Sequence, residues 1–80
     1  MAKKGDLREA LALLEKGDWP AAHAIVQADE DSRCACWAHG IVHLMEGDKA
    51  NARYWYRKAG RPFVQDVAAE IAALSEALTK

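Results

Sequence analysis

Residues 46–60, EGDKANARYWYRKAG, hold a helix stop, a helix start and the densest aromatic cluster in the chain. Gly47 is the residue type that ends a helix in the left-handed conformation. Asp48 offers a side-chain acceptor to the free amides of the next helix. The same layout appears in residues 17–26, GDWPAAHAIV. Gly17/Gly47, Asp18/Asp48, Ala22/Ala52 and Val26/Tyr56 are each 30 positions apart. Adding 30 once more brings Leu7/Trp37/Val67, Leu11/Ile41/Ile71 and Leu14/Leu44/Leu74 into register. Three apolar positions recurring three times at one period describe a helical repeat rather than a chance pattern.

Working outward, Asp6 and Glu9 have capping-box spacing, and Leu7, Leu11 and Leu14 follow on one helical face. This predicts a helix over about 6–16, ended by Gly17. Asp18 caps a second helix over about 19–28, with Pro20 in its first turn, where the missing N–H costs nothing. The acidic turn Asp29-Glu30-Asp31 opens a third helix running to Glu46, with Trp37, Gly40, Ile41 and Leu44 on one face. A fourth helix ends at Gly60. It turns Ala52, Trp55, Tyr56 and Ala59 inward and Arg53, Arg57 and Lys58 outward. Pro62 is read as the start of a fifth helix. The expectation is an all-α single domain over 1–80 made of two antiparallel helical hairpins, about 6–28 and 32–60. A capping helix over about 62–79 closes it.

Composition agrees. With 51% hydrophobic residues and only two prolines in 80, the chain suits compact helical packing, not disorder. A net charge of −1 supplies no global field for nucleic acid or an anionic membrane. Charges interrupt the apolar residues of the first helix every turn, so neither a signal-peptide core nor a spanning segment is expected there. Cys34 and Cys36 are too close in sequence to staple a fold. They read as free thiols in a cytoplasmic protein.

The pattern of Gly40 in the third helix followed by Ala52, Tyr56 and Ala59 in the fourth resembles the tetratricopeptide repeat. His43 stands where that family usually has Tyr. In the first hairpin Ala10, Ala22 and Val26 match, while Leu13 and Asp29 replace an aromatic and an alanine. The period of 30 is shorter than the family's repeat of about 34. Residues 46–60 are also similar to the signature of a group of small uncharacterised proteins, which implies no activity. The resemblance implies protein or peptide binding on a concave surface. The Lys/Asn/Arg set that clamps a peptide carboxylate in some members is replaced here by Cys34, Trp37 and Ile41.

Three surfaces are candidates for function. His39 and His43, four apart on one helix, have metal-ligand spacing, with Cys36 and Glu46 a turn to either side. Against a metal site stand their core-facing positions and the lack of a second ligand-rich segment. The expectation is therefore no metal, no cofactor and no catalysis, with a buried histidine bonded to a neighbour such as Tyr56. Arg53, Tyr54 and Arg57 place an aromatic on a basic face, a pattern that could grip an acidic partner or stack an RNA base. The net charge disfavours nucleic acid. Ala69 and Ala73, beside the stripe Val67/Ile71/Leu74/Leu78, form a shallow apolar side of the last helix suited to self-association or a partner helix. The leading reading is a non-catalytic protein-interaction or assembly module, with metal or ligand binding through His39/His43 as its alternative.

Overall fold

The computed structural model describes residues 4–79, with side chains from residue 6 onward. These residues form five helices and no strand: α1 Lys4–Glu15, α2 Trp19–Val26, α3 Arg33–Glu46, α4 Lys49–Ala59 and α5 Val67–Thr79. No described helix is long and apolar enough to cross a membrane.

The repeat is visible in the backbone. Gly17, Gly47 and Gly60 all have positive φ, 82°, 91° and 74°. Each closes its helix with the same pair of hydrogen bonds. Gly47 N–H donates to Leu44 O at 3.1 Å and Asp48 N–H to His43 O at 2.9 Å. Gly17 and Asp18 do the same to Leu14 and Leu13, and Gly60 and Arg61 to Arg57 and Tyr56. Asp18 and Asp48 then accept from the Ala21 and Asn51 amides, opening α2 and α4. A stop and a start separated by one residue leave no room except for a reversal, so α1/α2 and α3/α4 form antiparallel hairpins.

Six of the nine apolar residues in the register of 30 are buried, and Leu44, Val67 and Ile71 pack half-buried against them. Leu14, Ile41, Leu74, Val26, Val42 and Tyr56 are fully enclosed. Burying one such side chain contributes about 1.5–3 kcal/mol, so these residues dominate the stability of a small domain. Gly40 brings α3 and α4 together. A Cβ at that position would lie 2.5 Å and 2.7 Å from Tyr56 ring carbons.

Several boundaries differ from the expectation. Helix α1 begins at Lys4, so Asp6 lies inside its first turn and is not its cap. The α2 helix ends at Val26. Ala28 and Asp29 N–H reach only the carbonyls three residues back, which tightens the exit into the turn. The α3 cap is Ser32, whose Oγ accepts from Ala35 N–H, while Asp29 Oδ1 ties the turn through the amides of Asp31 and Ser32. The largest difference is at Pro62. Residues 61–66 are not helical, and α5 starts at Val67, with Asp66 Oδ1 accepting from Ala69 N–H and Asp66 O from Glu70 N–H. The capping helix is therefore 67–79, not 62–79.

That non-helical segment decides where α5 goes. Helix α5 packs on both α1 and α3, which also touch each other. Arg8 donates to Leu78 O at 3.2 Å across the α1–α5 contact. The extents of 27 × 25 × 24 Å are nearly equal in all directions. The first helices of the successive units thus close on one another, instead of lining an open channel as they would in a stacked superhelix.

Candidate functional site

Two polar clusters flank α3. On the α2/α4 side, His39 and His43 project from one face of α3, as their spacing requires. His23, in the middle of α2, comes against them. The His23 ring lies 4.8 Å from His39 and 5.5 Å from His43, both edge-on. His39 and His43 are 5.1 Å apart and nearly parallel. One ring nitrogen from each histidine lies within 4.8 Å of one from each of the others. His39 is buried, with its other ring face stacked on Trp55 at 3.8 Å.

The protonation of this cluster follows from its surroundings. Burial, reinforced by His23, His43 and Lys58, pulls the His39 pKa down to about 4, so the ring is neutral at physiological pH. Its Nδ1 has no hydrogen-bond partner. His43 Nδ1 lies 2.8 Å from Glu46 Oε1. An ionised carboxylate only accepts, so Nδ1 carries the proton and the His43 lone pair falls on Nε2. Asp48 stands beside this pair.

The sequence expectation named the wrong neighbours for these groups. Tyr56 does not bond a histidine; its hydroxyl donates to Glu70. Cys36 is not part of the cluster either. Its thiol donates to Glu30 O at 3.3 Å, and burial raises its pKa, which leaves a quiet thiol instead of a ligand. The missing second segment is α2 with His23. It lies sixteen positions before His39 on another helix, so no local spacing points to it. The usable signal is that a short Gly-Asp hairpin must fold α2 back beside the core, with His23 next to the inward-facing Ala22.

On the α5 side, Glu70 is buried at 4% exposure. Its Oε1 accepts from Trp37 Nε1 at 3.1 Å and from Tyr56 OH at 2.7 Å, and its Oε2 lies 3.5 Å from Arg61. The Arg61 guanidinium stacks on Trp37, 3.6 Å from the ring centroid. Burial first, and then the bond to Glu70, raises the Tyr56 pKa far above its usual value. This carboxylate went unread because Val67, Ile71 and Leu74 define the α5 stripe without it. Position 70 lies within that stripe, and two buried ring donors need an acceptor.

Tyr56 and Arg61 of this network also line a cleft of about 300 Å3, together with Arg53, Arg57 and Phe63. Arg53 lies over Phe63 at 5.0 Å. Arg53 and Arg57 both line this cleft. Tyr54 does not join them; it is 52% exposed and packs edge-on against Trp55. Successive helical residues differ by about 100° in direction, which separates Tyr54 from the cleft. On α5, Ala69 is exposed but Ala73 is half-buried against the core. A charge at 73 would therefore disturb the fold as well as any docking. No protein-family model, curated protein or solved structure matches the chain.

Proposed function

We propose that the protein is a small non-catalytic interaction module that grips an acidic segment of a partner protein in the Arg53/Arg57/Arg61 cleft. The observation that carries this reading is the convergence of three guanidinium groups on a cleft with an apolar wall. Two of the three are stacked on aromatic rings, Arg53 on Phe63 and Arg61 on Trp37. Stacked arginines are held in place before a ligand arrives and present planar donor forks to carboxylates. Among the described residues, only Arg61 of the three meets a carboxylate, Glu70. The resemblance to tetratricopeptide repeats supports peptide binding in general. It does not supply the surface, since α1, α3 and α5 close on each other where a concave channel would run.

The test is selection from a random peptide library, followed by affinity measurement at two salt concentrations. Acidic peptides should be enriched, binding should weaken with salt, and the double variant Arg53→Glu/Arg57→Glu should abolish it. Both side chains are exposed, so helicity should not change. Equal binding by that variant, or preferential capture of single-stranded RNA over acidic peptides, would overturn the reading.

A further inference from the structure

Independently of the arginine cleft, we propose that His23, His39 and His43 form a binding site for a divalent transition metal of the zinc type, oriented by Glu46. Three observations converge. The first is the donor set. Three imidazoles from two helices place a nitrogen each within 4.8 Å of the other two, in a partly buried site. Three nitrogen ligands with one position left for water or a partner's group are a recurrent arrangement for this ion. The second is the carboxylate on His43. Glu46 at 2.8 Å fixes the ring and its tautomer, which is what carboxylates do behind metal-binding histidines. The third is His39, at 4% exposure, whose Nδ1 has no hydrogen-bond partner. Buried polar nitrogens are nearly always satisfied, and an orphan inside a histidine cluster points to coordination that protein groups do not supply.

The geometry requires a modest closure. Bonds of about 2.0–2.1 Å in a tetrahedral site put ligand nitrogens about 3.3 Å apart, closer than the 4.8 Å limit found here. His39 is fixed against Trp55 and His43 is held by Glu46, so the closure falls mainly to the half-buried His23 on α2. The ion would pin α2 to α3 at the seam between the two hairpins.

The experiment uses the full chain without a polyhistidine tag, stripped by a chelator and then titrated with zinc chloride at pH 7.5. Heat of binding and the ring-nitrogen NMR shifts of the histidines are the readouts. One equivalent should bind, shifting the ring resonances of His23, His39 and His43 together. His23→Ala and His43→Ala should each remove stoichiometric binding, with unchanged helicity in the zinc-free state. Glu46→Gln, which keeps the side-chain shape, should weaken binding about tenfold. Cys36→Ser and the Arg53→Glu/Arg57→Glu variant should bind as the parent does. Absence of binding at equimolar zinc, full affinity in His23→Ala, or loss of binding in Cys36→Ser would overturn the site.

Discussion

The two polar clusters beside α3 are built from similar materials and solve opposite problems. Trp37 and His39 are two residues apart, so they leave the helix about 200° apart and enter different environments. On the Trp37 side, a single buried carboxylate takes both ring donors and faces a stacked guanidinium. Both ring donors there have their partner, though Arg61 Nε is buried without one, and the network joins α3, α4, α5 and the segment between the last two. On the His39 side, three imidazoles crowd together and a buried ring nitrogen has no partner. A satisfied buried network specifies which way the helices pack. A buried polar group left without a partner costs stability. Each cluster leaves one buried nitrogen without a partner, so composition separates them: a carboxylate already shared by two ring donors on one side, three imidazole rings on the other.

Breaking the architectural cluster should produce the largest effect. Glu70→Ala leaves the Trp37 and Tyr56 donors buried without an acceptor and removes the carboxylate that faces Arg61. Losing one partner of a buried pair costs about 3–5 kcal/mol, a large share of what an 80-residue domain has. Urea denaturation should show that loss. Glu70→Gln, still an acceptor, should recover part of it. A Glu70→Ala protein as stable as the parent would mean that the network is incidental to the fold.

The histidine cluster should reveal itself through pH, measured with a chelator present. His39 titrates near 6.5 in the unfolded chain and near 4 in the folded one, where His23, His43 and Lys58 face it. Between these values the unfolded chain binds a proton that the folded one refuses. The contribution is therefore complete above pH 6.5 and is lost as pH falls through 4. Over about 2.5 pH units at about 1.4 kcal/mol each, the full loss is on the order of 3–4 kcal/mol. His39→Gln should flatten that part of the stability profile, whereas Arg53→Glu should leave it unchanged. A profile for His39→Gln that parallels the parent would remove the distinction between the two clusters.

What could be read from the sequence divides along the same line. Gly17 and Gly47 announce their turns because a positive φ strongly favours one residue type, and Asp18 and Asp48 follow from the free amides behind them. Leu14, Ile41 and Leu74 follow from periodicity. Pro62 misled because proline suits the first turn of a helix but also an extended strap. Residues 61–66 form such a strap, from which Arg61 reaches Trp37 and Phe63 packs edge-on against Tyr56. His23 and Glu70 were missed for a different reason. His23 meets His39 sixteen positions on and Glu70 accepts from Tyr56 fourteen positions back, across contacts that only the assembled hairpins create.

The α3–α4 approach serves both clusters, because α4 carries Tyr56 to one and Trp55 to the other. Gly40→Ala tests it. The added methyl would overlap the Tyr56 ring, which is fully buried and cannot swing away. A cost of about 2 kcal/mol is expected from overpacking of this kind. Because Tyr56 bonds Glu70 directly, the architectural cluster should feel the shift first. Combined with Glu70→Ala, the second substitution should cost less than it does alone, and a double-mutant cycle measures that coupling. Strict additivity would show that Gly40 sets the helix spacing without acting through Tyr56.

The smallest effect separates steric from conformational demands on glycine. Gly47 has φ of 91°, yet a Cβ there would meet nothing within 4 Å. Gly47→Ala should therefore cost only the strain of a left-handed alanine, about 1 kcal/mol. Gly17 has φ of 82° and equally open surroundings, so Gly17→Ala should cost the same. The two turns differ in what stands next to them. Gly47 follows Glu46, which holds His43, whereas Gly17 follows Lys16, which has no place in either cluster. Urea denaturation should give matching losses for the two variants. The zinc titration should then distinguish them, with a modest weakening in Gly47→Ala and none in Gly17→Ala. If both variants weaken zinc binding equally, the effect passes through global stability, and the turn has no special hold on the histidine cluster.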